Sequence, residues 1–375
     1  MVCNVGKVNP PQTVLFIASL WYLLSGAIYS YFAHNDFMLT PLIAVIALSG
    51  VVSGIMLTRK KVEKQFCIVS PIAPVIALKI SVYSFLLILI TFAAYYFIDG
   101  SYFSYDKVER AEIISRLFYV RFIIFTACAL LGILVIRWNS CVRQVKSIII
   151  ISYTLILLYS VIELNRELFL VLGLTYYVYY IFNVGEISVK KLTLYSLFAV
   201  LFLLVFKFAA YWMFFDKLYD GGIVSLGELV NWSRWTDMAL INEWDLKGIQ
   251  AEDASYFLTS LVFPFSNHDT SSEVLFRDIL GRSGTGELYG YSGPLWAYGY
   301  VGYVGVFGFY LALSVSLSFL RLGDNIYLDV LAISMMFIVF RFFRQEWVVP
   351  IKMLIWVYLY PSAILIMISK IRINR

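Results

Sequence analysis

The chain has 375 residues, of which 61% are hydrophobic, 18% aromatic and only 14% charged, and its mean hydropathy is +0.81. Soluble domains are near half apolar and a quarter charged, so this composition excludes that class, along with a disordered chain, a coiled coil and a small disulfide scaffold. In such a chain the net charge of +5 matters less than the side of a bilayer on which each charge falls.

The N-terminus is short and weakly charged (Lys7). The apolar run after it is too long for a secretory core and has no small-residue cleavage exit, so a retained first span is expected. About 20 apolar residues cross the hydrocarbon core as a helix. Ten stretches qualify: roughly 12–33, 38–58, 77–98, 117–136, 147–163, 168–183, 192–213, 293–320, 325–341 and 351–369. The fifth and sixth are short and read as a tight helical hairpin around Glu163 to Glu167. The fold class is therefore all-α and polytopic. Transmembrane helices 1–7 lie in 1–213 and helices 8–10 in 293–375, with the long segment 214–292 between them. A structureless loop of that length is unusual, so 214–292 is expected to fold, with amphipathic helices over 225–247 and 251–263.

Alternate short loops hold Arg59, Lys60, Lys61 and Lys64, then Arg137, Arg143 and Lys146, then Lys190 and Lys191, then Arg321, then Lys370, Arg372 and Arg375. With Lys7 they total 14 basic residues against four acidic ones, Glu63, Glu186, Asp324 and Asp329. That excess puts these loops and both termini in the cytoplasm, and Lys79 can snorkel to the same side. The opposite face holds 20 of the 24 acids yet also nine arginines. Outer-face arginine works against the topology rule, and its planar donor fork suits phosphate and carboxylate. Cys3, Cys67, Cys128 and Cys141 carry no paired spacing, so neither a disulfide nor a cysteine metal site is expected.

The chemistry candidates follow from that asymmetry. Asn165-Arg166-Glu167 sits at the outer tip of the hairpin, where Arg166 either binds an anion at membrane depth or pairs with Glu163 or Glu167. Arg277 and Arg282 flank a Gly-rich stretch that ends at Glu287 and Tyr289, where backbone amides can line an anion nest. Arg341 and Arg344 are three apart between the last two spans, placed either to clamp a diphosphate or to anchor at the interface with Phe342, Phe343 and Trp347. His268 is a lone histidine of the large loop, an acid–base candidate or a surface residue. The run Gly299, Gly302, Gly305 and Gly308 is expected to let helices pack closely. No metal site is expected.

Ten spans, both ends inside, a large outer loop before the last three spans, outer arginines and the Gly-rich aromatic stretch 290–302 together resemble the Wzy-type polymerases of bacterial O-antigen and capsular repeat units, relatives of the O-antigen ligases. The resemblance implies a GT-C-like fold in the bacterial inner membrane with its active site facing the periplasm. It implies metal- and cofactor-independent, inverting glycosyl transfer between undecaprenyl-pyrophosphate-linked donor and acceptor glycans. It also implies a chain-length regulator and a flippase as partners; no nucleic acid is expected. On this reading Arg166, Arg277, Arg282, Arg341 and Arg344 hold the pyrophosphate, replacing a metal on the leaving group. Glu167, His268 or Glu287 orients or deprotonates the acceptor hydroxyl, and Trp232, Trp235 and Tyr289 offer faces to sugars. The rival readings are a ligase that uses lipid A core as acceptor and a lipid-linked oligosaccharide flippase. The second is expected to carry more mid-span charge than Lys207 and Arg121 supply.

Overall fold

The computed structural model describes residues 2–3, 9–24, 39–62, 67–98, 118–162, 166–184, 194, 293–344 and 347–371. Among these the protein is almost wholly helical. α1 (Pro10–Ser19) continues into a π-helical turn, Leu20–Leu24. α2 spans Leu39–Val62, α3 Pro74–Ile98, α4 Phe118–Ile136, α5 Arg143–Ile162 and α6 Arg166–Asn183. Beyond residue 292, α7 spans Gly293–Ser318, α8 Ile326–Ile338, and α9 is a single turn, Arg341–Arg344. α10 (Val348–Met353) passes through a π-helical stretch, Leu354–Leu359, into α11 (Tyr360–Lys370). Two-residue strands β1 (Val2–Cys3) and β2 (Cys67–Ile68) pair antiparallel, with Cys3 opposite Cys67 in the register. That pairing is not visible in the cysteine spacing.

Among the described residues five stretches are long and apolar enough to cross a bilayer: Pro41–Thr58, Pro74–Ala94, Arg143–Val161, Val301–Ser318 and Val349–Lys370. Phe122–Ile136, Glu167–Asn183 and Ile326–Ile338 are apolar but shorter. The expected span 192–213 and the segment 214–292 lie outside the described residues, apart from residue 194.

α4 is central. It is apolar on every side, and Ile124, Phe125 and Ala127 to Ile136 are all nearly inaccessible, as a helix packed all round must be. Outer helices instead turn apolar faces outward, through Leu57 on α2, Leu86 and Ile90 on α3, Ile150 and Leu158 on α5, Val304 on α7 and Met367 on α11. Faces of that kind fit lipid as their solvent.

Local irregularities have local causes. Pro361 lacks the N–H that would bond the Val357 carbonyl in an α-helix, and the helix widens there into its π stretch. The Thr126 hydroxyl of α4 donates to that carbonyl instead, at 2.5 Å. α7 breaks at Val301 and Gly302, where Gly302 takes φ 64° and ψ −149°, a combination essentially restricted to glycine.

Gly302, Gly305 and Gly308 of the glycine run do not pack helices together. Added Cβ atoms at Gly302 and Gly308 would meet nothing within 4 Å, and one at Gly305 would strike the Ala297 carbonyl across the break in the same helix. Close approach of α2 to α7 runs through Gly50 and Gly54, whose added Cβ atoms would lie 2.6 Å from the Phe307 carbonyl and 2.5 Å from Ser314 Cβ. Beside them Gln12 of α1 donates to Thr58 Oγ1 and the Ser314 carbonyl, both at 2.9 Å.

Contacts between distant stretches gather at the two ends of the bundle. At one end Arg137, 2% exposed, is ion-paired to Asp329, 0% exposed, at 2.5 Å. Arg137 Nε donates to the Ser70 carbonyl, Nη1 to Ile133 and Nη2 to Gly323, while the Gly323 amide donates to Asp329. Asn325 caps α8 by accepting from the Tyr327 amide, as short polar residues do at helix starts. Lys79 Nζ reaches the Ile371 carbonyl, and Asn183 Nδ2 reaches Val135. The last contact fixes the C-terminus of α6 at this end. The helix rises about 1.5 Å per residue, which leaves its start, Arg166, at the far end.

Candidate functional site

At the far end the hairpin tip meets α9. Residues 163–165 link α5 to α6, and Arg166 and Glu167 open α6. A carboxylate in a helix's first turn is favoured by the partial positive charge of the free amides. Glu167 Oε2 accepts from Arg341 Nη2 of α9 in an ion pair whose side chains are 22% and 16% exposed. The pair thus joins two segments singled out independently in the sequence. Both charges act electrostatically on Tyr358 of the π stretch.

α9 is seated on aromatic packing. Phe342, Phe343 and Trp347 are 3%, 0% and 7% exposed, so they point into the bundle and do not anchor at an interface. Phe343 stacks between Tyr310, 5.1 Å away, and Tyr22, 6.2 Å away. Trp347 takes edge contacts with Phe309, Tyr310 and Phe342 and stacks on Trp296. Burying that much ring surface fixes the turn from beneath. On α9 itself, burial divides Arg341 from the Phe342 and Phe343 that follow it.

The pair keeps an open edge to solvent, which screens part of its attraction and leaves it exchangeable. An anion entering the site can take over the guanidinium, and the released carboxylate can accept a hydroxyl proton. No protein-family model, curated protein or solved structure matches the chain. The site's chemistry has to be read from its own residues.

Of the expected site residues, Glu167 and Arg341 are brought together; Arg166 is Glu167's neighbour on α6, and Arg344 closes α9. His268, Arg277, Arg282, Glu287, Tyr289, Trp232 and Trp235 lie outside the described residues. Sequence reasoning passed over Tyr310, whose hydroxyl meets the Phe342 carbonyl of α9 and which no charge or motif marks. It noted Gly293 only as part of the stretch 290–302 and gave it no role against α9.

Proposed function

We propose that the protein is a membrane-embedded glycosyltransferase that polymerises undecaprenyl-pyrophosphate-linked repeat units into O-antigen or a similar surface polysaccharide, at the periplasmic face of the bacterial inner membrane. The observation that carries this reading is the part-exposed Glu167–Arg341 pair at one end of an apolar helical bundle. It supplies a fork for a diphosphate and a carboxylate for a hydroxyl within one contact. That is the minimum set for displacing a lipid diphosphate by a sugar alcohol.

In this mechanism the acceptor hydroxyl attacks the anomeric carbon as the bond from that carbon to the diphosphate oxygen breaks, with inversion. Arg341, with Arg344 on the same turn and Arg166 next to Glu167 in sequence, offsets the charge that builds on the departing diphosphate. One preorganised donor of this kind contributes roughly 3 kcal/mol to the transition state. Glu167, released from Arg341, takes the hydroxyl proton.

The test is a deletion strain carrying Arg341→Ala or Arg166→Ala, with membrane insertion checked by immunoblot. Single repeat units on the lipid A core are expected in place of long chains. Unchanged chain length would defeat the reading, and core lacking any repeat would favour the ligase alternative.

A further inference from the structure

We propose that Tyr310 is a positioning residue: its hydroxyl, with Gly293 beneath it, holds the Phe342 carbonyl and so fixes Arg341 at the site. This rests on the reading of Arg341 as a diphosphate-binding group. The need for such a holder follows from the shape of α9. One turn of helix has too short a carbonyl-to-amide ladder to hold itself. α9 is reached through tightened turns, Phe342 N to Val339 O and Phe343 N to Phe340 O, both at 3.2 Å. A part-exposed ion pair is too weak to fix it.

Ring packing seats α9 but is non-directional; Tyr310 supplies a directional tie to its backbone. It is 0% exposed, its ring stacks on Phe343, and its hydroxyl donates to the Phe342 carbonyl at 2.8 Å. From the other side, α7 begins so close to the same carbonyl that a Cβ on Gly293 would stand 1.8 Å from the Phe342 oxygen and 2.9 Å from the Tyr310 hydroxyl. Only a residue without a side chain leaves room for the bond. Two parts of α7, its first residue and a residue beyond its break at Gly302, therefore converge on the Phe342–Phe343 peptide group, one residue past Arg341. Freed from that carbonyl, α9 can shift by a fraction of an ångström, enough to misalign a donor fork.

Tyr310→Phe keeps the ring and its stacking and removes only the tie; Gly293→Ala displaces the carbonyl from the opposite side. Undecaprenyl pyrophosphate is titrated into the full chain in phosphatidylcholine nanodiscs, for the native protein, each variant, Arg341→Ala and the double variants. Thermal unfolding is followed in parallel. Tyr310→Phe is expected to weaken binding about tenfold, the scale of one misaligned charged hydrogen bond, and to flatten its salt dependence, because an ionic contact is lost. Gly293→Ala should do the same. In the Arg341→Ala background both effects should vanish.

Equal losses with and without Arg341, tracking a fall in unfolding temperature, would mean a merely structural role and overturn the proposal. So would native binding by Tyr310→Phe where Arg341→Ala binds weakly. Native binding by Arg341→Ala itself would instead remove the functional reading on which the proposal stands.

Discussion

The two ends of the bundle each carry an arginine–carboxylate pair, and the pairs differ in every respect that decides their use. Arg137–Asp329 is almost wholly buried, and the guanidinium also bonds the carbonyls of Ser70, Ile133 and Gly323. Arg341–Glu167 is about a fifth exposed and sits on aromatic packing that holds its backbone and leaves its charges reachable. A fully buried pair is closed to a ligand. A part-exposed pair can exchange its partner for one. Charge chemistry alone does not separate structure from site here; solvent access does.

The largest effect that can break this contrast is at the closed end. Arg137→Ala or Asp329→Ala leaves a buried charge without its partner, which costs about 3–5 kcal/mol, read as a fall in unfolding midpoint in detergent. Joint replacement, Arg137→Met with Asp329→Leu, should recover most of that loss, because neither charge is then stranded. Single variants as stable as the native protein would show that the end is not closed. At the open end, on the proposed function, Arg341→Ala should cut polymer formation by about a hundred- to a thousandfold and cost less stability than the closed-end variants, because this pair is screened by solvent at its open edge. If it unfolds the protein as Arg137→Ala does, the two ends are alike and the contrast fails.

A smaller effect sharpens the closed end. Gly54 lies where α2 meets Ser314, and Gly54→Val adds atoms to a space already filled at 2.5 Å. The expected loss is about 1–3 kcal/mol, with activity per folded molecule retained. A neutral Gly54→Val would mean that the α2–α7 contact is looser than its geometry requires.

Helices were legible because a bilayer imposes a length and a composition that any local window reveals. Expected apolar stretches accordingly coincide with helices through α2 to α6 and at α7, α8 and α10–α11. Among the described residues, however, only five stretches are long and apolar enough to cross a bilayer, and α7 is broken at Gly302. The pairing of charges was not legible. Arg137 reads in sequence as one more topology-setting cation and Asp329 as a stray loop acid, and only the central placement of α4 buries one against the other. Arg341 and Glu167 were each marked as site residues, but 174 positions of chain separate them. The glycine run misled because spacing cannot distinguish a stripe that packs on a neighbour from a break within one helix. Gly50 and Gly54 perform the packing from an unremarkable stretch of α2. The π stretch did have a cue in Pro361, and Thr126 supplied the rest from another helix.

The mildest test uses Cys141, which lies in the turn between α4 and α5 at the closed end. The residue is 9% exposed, and burial raises its thiol pKa above the ordinary 9.0, with the cations of Lys146 and Arg137 opposing part of that rise. The thiolate is the reactive form, so alkylation by N-ethylmaleimide at pH 8 should be slower than for a free thiol. Its rate should go on climbing with pH beyond the range where an exposed cysteine levels off. In the Arg137→Met, Asp329→Leu protein one opposing cation is gone while burial is kept, so the climb should move to still higher pH. Cys128 is also buried, on α4, so the reaction is assigned by peptide mapping. Labelling of Cys141 at the free-thiol rate in the native protein would show that water reaches this end as freely as it reaches Arg341, and the distinction between a closed and an open end would be lost.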